Sequence, residues 1–281
     1  MEKDLSRRGV LRLGAGVALG GIATAFVPTI ANAVETRTAR AMTPPQSATK
    51  TFSMLEYGDR RDLYRSLVRS PSPEVRTVSN KLKPTNKWTT KFHVFTVNWT
   101  VLEPTEILIP TSLHAPVKAE EIATHYARTL GLLPRGLRSA VRTINLNPGS
   151  HNYTGGGGNI TLYTDVSYRP ERLPNSFAHE AAHSVNNELR KNAAKLARWN
   201  AAVDADRRAG GPGGGFISKY AADNPTTEDF GESMVAWLSV RYHADRLNAI
   251  DPRYVPYIRS QIANRIDFFR SLGLDLAPLG G

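Results

Sequence analysis

The chain has 281 residues, of which 41% are hydrophobic, and it contains no cysteine. This composition supplies enough material for a sizeable core and excludes a disulfide framework and a cysteine switch. The net charge of +11 suggests contact with anionic cell-wall polymers or lipid headgroups, although a solvated basic surface explains it equally well. The sequence has no helix-turn-helix, zinc-finger or RNP-like motif, so we expect no nucleic-acid partner. It does not indicate an oligomeric state.

The amino terminus resembles a twin-arginine export signal. Arg7 and Arg8 precede an uncharged stretch, residues 13–33, which ends in the cleavage pattern Ala31-Asn32-Ala33. A permanent membrane anchor is the alternative, but four glycines and a proline make this stretch only weakly hydrophobic. We expect residues 1–33 to be removed on export to the cell envelope or beyond. Loss of their four basic and two acidic residues leaves a net charge of about +9.

Residues 34–85 are predicted to be a polar linker that could serve as a prosegment, ahead of a catalytic domain at 86–281. Residues 34 to about 51 are polar and have no apolar period. A short charged helix is expected between Tyr57 and Val68, and the folded domain is expected to begin near Trp88. The next predicted elements are a strand over 92–99, helices over 119–130 and 134–141, and strands over 142–146 and 159–164.

The sequence His179-Glu180-Ala181-Ala182-His183 is an H-E-x-x-H motif. On an α-helix the two histidines lie one turn apart, at about 40° from each other on one face. Two neutral imidazoles in this arrangement can bind one Zn²⁺, and Glu180 lies beside the zinc-activated water as a general base. Two histidines that merely share a helix face are the alternative interpretation.

The surrounding residues favour a helix with one buried side. Pro174 ends the preceding segment, and Asn175 or Ser176 is expected to cap the helix. An apolar stripe repeats every four residues, at Phe177, Ala181, Val185 and Leu189. A strand at 160–163 would then form the sheet edge above the helix, where an extended substrate can add its backbone. The glycines at 155–158 are interpreted as a mobile hairpin tip or as a rim that opens.

Catalytic zinc needs a third protein ligand. The metzincin extension is absent, because Asn186 and Leu189 occupy its glycine and histidine positions, and Glu188 points to another face of the helix. Glu228 is the better candidate, with Glu232 one turn further on to hydrogen-bond a ligand histidine. An acidic residue favoured in the first turn of a helix is the alternative explanation for Glu228.

The helix that carries Glu232 is expected to be capped by Thr226, with Asp229 reciprocating, and to bury Phe230, Met234 and Trp237. A carboxy-terminal helix over 256–272 is predicted to place Ile258, Ile262, Ile266 and Phe269 in the core and to stop at Gly273.

The segment Phe216–Pro225, followed by Glu228-Asp229-Phe230-Gly231-Glu232, resembles the lethal-factor-like gluzincins. This group includes the catalytic domain of anthrax lethal factor and the bacterial Pro-Pro endopeptidases. The shared pattern is a tyrosine, a short turn containing asparagine, and a helix of the E-[DF]-F-A-E type, within a similarity that spans about residues 140–240. Gly231 replaces the usual alanine, a departure that we interpret as minor, and the interval from Tyr220 to Glu228 is one residue longer.

The resemblance implies an α+β zincin-like fold with a small mixed sheet and a helical carboxy-terminal part. It implies one zinc per chain bound by His179, His183 and Glu228, with Glu180 as the general base and Tyr220 steadying the oxyanion. His243 is an alternative oxyanion donor. The expected function is an exported zinc metalloendopeptidase that acts on proteins or peptides. A non-catalytic zinc-binding envelope protein and a hydrolase of cell-wall peptide cross-links remain open.

Overall fold

The computed structural model describes residues 42–165 and 170–279. The export signal expected at 1–33 lies outside these residues. The described chain is α+β, as expected, with a mixed sheet followed by a helical carboxy-terminal half. No helix in these ranges is both long and apolar enough to cross a lipid bilayer.

Within residues 42–165, seven strands and three helices precede the H-E-x-x-H helix. They are α1 (Ala48–Thr51), β1 (Ser66–Arg69), β2 (Glu74–Ser79), β3 (Lys87–Asn98), β4 (Thr105–Pro110), α2 (Pro116–Gly131), α3 (Arg135–Arg138), β5 (Thr143–Asn147), β6 (Thr154–Gly156) and β7 (Asn159–Tyr163). A 3₁₀ turn over Pro170–Arg172 leads into the second half of the chain. The helices there are α4 (Leu173–Arg190), α5 (Ala193–Ala209), α6 (Lys219–Asp223), α7 (Asp229–Tyr242), α8 (Ala244–Ile250), α9 (Tyr254–Gln261) and α10 (Ala263–Ser271).

The sheet has the strand order β1-β3-β4-β5-β7-β6, and β2 pairs with β3 beside β1. The pairs β4–β5 and β5–β7 are parallel, and the other pairs are antiparallel. The prediction that residues 160–163 form the sheet edge is wrong, because β6 covers β7 and is itself the last strand.

Glycine makes this edge strand possible. Gly157 and Gly158 turn the chain between β6 and β7 with φ angles of 62° and 88°, which suit glycine. Gly155 lies against the backbone of α4, where an added Cβ would be 2.2 Å from the carbonyl oxygen of Glu180. The run of four glycines therefore lets the edge strand pass directly over the H-E-x-x-H helix.

The folded region begins well before Trp88, contrary to expectation. β1 and β2 both pair with β3, and the stretch from Tyr57 to Val68 is not a helix but ends in β1. Residues 42–51, expected to be a flexible linker, contain α1, and the neighbouring Phe52 is fully buried against Tyr254 and Tyr257. The polar composition of this segment does not make it a flexible linker, because hydrogen bonds to residues far away in the chain hold it in place.

The apolar stripes predicted for the central helices are confirmed, although Val185 is only partly buried. In α4, Phe177 and Ala181 are fully buried and Leu189 nearly so, while α7 buries Phe230, Met234 and Trp237. Pro174 lies within the first turn of α4 rather than before it, and the helix has no side-chain cap. Asn175 instead accepts hydrogen bonds from the Ser53 hydroxyl (2.7 Å) and the Leu55 amide (2.9 Å).

The predicted carboxy-terminal helix is divided into α9 and α10 at Ile262. Asp206 in α5 causes the division, since its carboxylate accepts the backbone N–H groups of Asn264 (2.8 Å) and Arg265 (3.1 Å) at the start of α10. The four apolar residues expected in the core are nevertheless buried.

Arg265 is a fully buried cation that joins three elements of the helical half. Its guanidinium lies 3.2 Å from Asp206 and 2.9 Å from Asp229, and it donates to the carbonyl of Gly215 at 2.5 Å. Burial raises the pKa of Asp229 to about 6, against the opposing influence of Arg265. The cation therefore compensates two buried carboxylates, one of which, Asp229, directly follows Glu228 in the chain.

We predict that Arg265→Met lowers the free energy of unfolding by about 3–5 kcal/mol, because it leaves two buried carboxylates without a compensating cation. Urea denaturation measures the change. Arg270→Met in the same helix is the matched control: Arg270 pairs with Asp267 on the surface, where such pairs contribute roughly 0–1 kcal/mol. Equal effects of the two substitutions would contradict the prediction.

Candidate metal centre

α4 and the start of α7 bring the three expected ligands together. His179 Nε2 lies 3.1 Å from His183 Nε2 and 3.1 Å from Glu228 Oε2, and His183 Nε2 lies 3.4 Å from the same carboxylate oxygen. The three ligand atoms therefore form a nearly regular triangle, although Glu228 is 49 positions from His179 in the chain.

The size of this triangle fits a zinc ion. Ligands at the usual zinc distances of about 2.0–2.1 Å in a tetrahedron are about 3.3–3.4 Å from one another. The donor set of two imidazoles and one carboxylate is also one that catalytic zinc sites use. His179, His183 and Glu228 would hold the ion.

The charged groups in and around the triangle shift the pKa values of His179 and Glu228. Burial alone would lower the pKa of His179, but the carboxylates of Glu228, Glu180 and Glu232 outweigh it and raise that pKa. Burial alone would raise the pKa of Glu228, but its hydrogen bonds to His179 and His183 hold that pKa far below the ordinary value. The site thus concentrates negative charge around the imidazoles, as a cation-binding site requires.

Glu180 is buried beside the ligands, with Oε2 at 3.9 Å from His183 Nε2. Burial raises the pKa of its carboxyl, although the neighbouring histidines oppose the shift. The carboxyl of Glu180, together with the two imidazoles, forms a cluster whose ligand atoms lie within 4.8 Å of one another. A carboxylate at this position can exchange a proton with a molecule that approaches the ligands.

Tyr220 is half-buried on the short helix α6, and its phenol belongs to the same electrostatic environment. Burial raises its pKa to about 12, and the carboxylates of Glu228 and Glu180 add to the shift, as does a hydrogen bond to Glu228. The backbone of Tyr220 is fixed by its amide, which donates to Gln46 O (3.0 Å), and by its carbonyl, which accepts from Asn224 (3.1 Å). Because its pKa is raised, the phenol stays protonated at neutral pH and can donate a hydrogen bond.

Glu232 is almost fully buried, but its contact with His179 is indirect. Glu232 Oε1 lies 3.6 Å from His179 Nδ1, which is too long for a hydrogen bond. The hydroxyl of Thr49 lies between them, at 2.8 Å from His179 Nδ1 and 2.7 Å from Glu232 Oε1. Sequence reasoning missed Thr49, because it belongs to the segment that was expected to be a linker.

Gly231 allows α7 to pack directly on the imidazole of His179. A Cβ at this position would lie 2.9 Å from Cε1 and 3.1 Å from Nδ1 of that ring. The glycine in place of the usual alanine is therefore not a minor departure, since an alanine here would displace the ligand or the helix.

Three other expectations are resolved by the geometry. Thr226 does not cap α7, which begins after Glu228 without a side-chain cap, and Asp229 is buried against Arg265 instead. Glu188 points away from the ligands and pairs with Lys191 on the surface (2.7 Å). His243 faces Asp59 at 3.7 Å, and its electrostatic partners include none of the site residues, so it is not positioned as an oxyanion donor.

The chain matches no family model, no curated protein and no solved structure.

We predict that the folded protein binds one zinc per chain and that Glu228→Gln weakens binding by more than the roughly 10–100-fold typical of losing an outer-shell partner. The substitution keeps the shape of the side chain but removes the charged ligand. Competition with a chromophoric chelator measures the dissociation constant. Asp223→Asn, which changes an exposed carboxylate paired with Lys219 on α6, should leave the constant unchanged. Undiminished zinc affinity in Glu228→Gln would exclude this residue as a ligand.

Proposed function

We propose that the protein is an exported zinc metalloendopeptidase with a zincin-like, lethal-factor-like gluzincin arrangement. The observation that carries the proposal is the triangle of His179, His183 and Glu228, whose edges of 3.1, 3.1 and 3.4 Å suit a tetrahedral ion, with Glu180 beside it. A zinc-binding protein without catalysis needs the ligands but does not need this additional carboxylate.

A zinc ion held by His179, His183 and Glu228 would supply a Lewis acid that lowers the pKa of water and polarises a peptide carbonyl. Glu180 accepts the proton of the attacking water and transfers it to the nitrogen of the leaving amine. Its burial supports this role, because a carboxyl whose pKa is raised is a stronger base. The phenol of Tyr220 donates a hydrogen bond to the carbonyl oxygen as negative charge develops on it.

The edge strand supports a peptide as the substrate. β6 is the last strand of the sheet, so one row of its backbone N–H and C=O groups faces away from β7. An extended peptide that pairs with this row lies along α4, against which Gly155 is packed. Backbone pairing holds the peptide without regard to its sequence and brings an internal bond towards Glu180.

The experiment that tests the proposal is incubation of the zinc-loaded protein with a diverse peptide library, with mass spectrometry of the products. We expect cleavage at internal bonds that a chelator abolishes, zinc restores and Glu180→Gln lacks. Cleavage confined to cell-wall peptide cross-links would keep the chemistry and change the substrate. Stoichiometric zinc without cleavage of either substrate would favour the non-catalytic zinc-binding protein.

A further inference from the structure

Residues 45–55, which we call the amino-terminal segment, contact every element that contributes to the metal centre. The carbonyls of Pro45 and Gln46 accept from the amides of Lys219 and Tyr220 in α6 (2.9 and 3.0 Å). Further along, Met54 N donates to Ser239 Oγ in α7 at 3.1 Å, in addition to the contacts of Ser53 and Leu55 with α4 described above. The segment is thus attached to α4, α6 and α7 together.

The middle of the segment surrounds the carboxylate of Glu232. The hydroxyls of Ser47 (3.0 Å) and Thr49 (2.7 Å), the amide of Thr49 (3.2 Å) and the amide of Ala48 all donate to it. Ser218, just before α6, adds a fifth donor at 2.7 Å. Every one of these groups donates, so Glu232 acts only as an acceptor.

The direction of these bonds fixes the orientation of His179. Thr49 has one hydroxyl proton, and this proton is donated to Glu232, so the lone pairs of Oγ1 are left to accept. The bond to His179 is therefore donated by Nδ1–H. A neutral His179 with its proton on Nδ1 presents the lone pair of Nε2 to the triangle, where a metal would lie.

We propose that Thr49 is a positioning residue of the metal centre, which fixes the tautomer and ring orientation of His179 through a hydrogen-bonded bridge to Glu232. The inference rests on the proposed zinc site. It also makes the amino-terminal segment a part of the functional site rather than a prosegment whose removal activates the enzyme. A histidine that binds a metal commonly donates its other N–H to a carboxylate or a carbonyl. Here the hydroxyl of Thr49, from a distant part of the chain, lies between His179 and the carboxylate of Glu232.

The test compares the zinc dissociation constants of three variants of the full protein by chelator competition. Thr49→Val keeps the shape but removes the hydroxyl, and we expect it to raise the constant by about 10–100-fold. Thr49→Ser restores the hydroxyl and should retain the wild-type constant. Ser47→Ala is the matched control, because it removes one donor to Glu232 and the cap of α1 but leaves the Thr49 hydroxyl in place. Thermal unfolding of the metal-free forms reports whether each variant is folded.

The outcomes separate this inference from the proposed function. Undiminished zinc affinity in Thr49→Val would overturn the inference alone. A loss of zinc affinity in Ser47→Ala as large as that in Thr49→Val would also overturn it, because the effect would then come from the packing of α1. If Thr49→Val does not fold, Thr49→Ala removes the same hydroxyl with a residue that favours the helix. Wild-type protein that binds no zinc would overturn both proposals. Zinc binding that depends on Thr49 in a protein without peptidase activity would contradict only the proposed function.

Discussion

Glu180→Gln is expected to retain one zinc per chain while lowering kcat by about 10²–10⁴-fold, the range that general-base catalysis supplies. The substitution leaves the shape of the side chain unchanged and removes only its ability to take up a proton. Because Glu180 contributes none of the three atoms that form the triangle, metal binding should survive. Turnover of a cleavable peptide and metal analysis of the same sample measure the two quantities together.

Glu188→Gln is the matched control for this change. Glu188 lies on the same helix but is paired with Lys191 on the surface, so its substitution should alter neither zinc content nor turnover. A loss below about tenfold in Glu180→Gln would fall short of the contribution of a general base and would assign proton transfer to another group. Loss of the zinc together with the activity would instead show that Glu180 is itself needed for binding.

The parts of this fold that the sequence predicts are those with a local period. The apolar stripe from Phe177 to Leu189 in α4 and the run of apolar residues in β3 depend on neighbours within one or two turns, or within one strand. The H-E-x-x-H motif is local in the same sense, since one helical turn brings His179 and His183 together. The fold class and the motif helix were therefore predictable.

The parts that the sequence does not predict depend on contacts between residues far apart in the chain. Thr49 lies 130 positions from His179, in a polar stretch that has no period, and only the folded chain brings the two together. Two of the three residues of β6 are glycines, which do not favour a strand, and the strand forms here because Gly155 fits against the backbone of Glu180. The division at Ile262 likewise comes from the carboxylate of Asp206 in another helix. Neither propensity nor periodicity contains this information.

Tyr220→Phe is expected to lower kcat by about 10²–10³-fold, or about 2.7–4 kcal/mol, the usual effect of removing one oxyanion donor. The pKa of about 12 keeps the phenol protonated across the working range, so that it can donate. Because the bond forms as charge develops on the carbonyl oxygen, kcat and kcat/KM should fall together while KM changes little. Steady-state kinetics on a peptide cleaved by the wild-type protein measures both.

A purely structural role for Tyr220 predicts a different pattern. In that case Tyr220→Phe retains normal turnover, since the ring still packs beneath α7, whereas Tyr220→Ala lowers the melting temperature. Tyr242→Phe is the control for loss of a phenol elsewhere: the hydroxyl of Tyr242 accepts a hydrogen bond from Arg241 (2.9 Å) at the end of α7, away from the ligands. It should leave kcat unchanged. A fully active Tyr220→Phe would exclude the phenol from stabilising the transition state. Since His243 faces Asp59, stabilisation would then fall to the metal and to backbone donors of the edge strand β6.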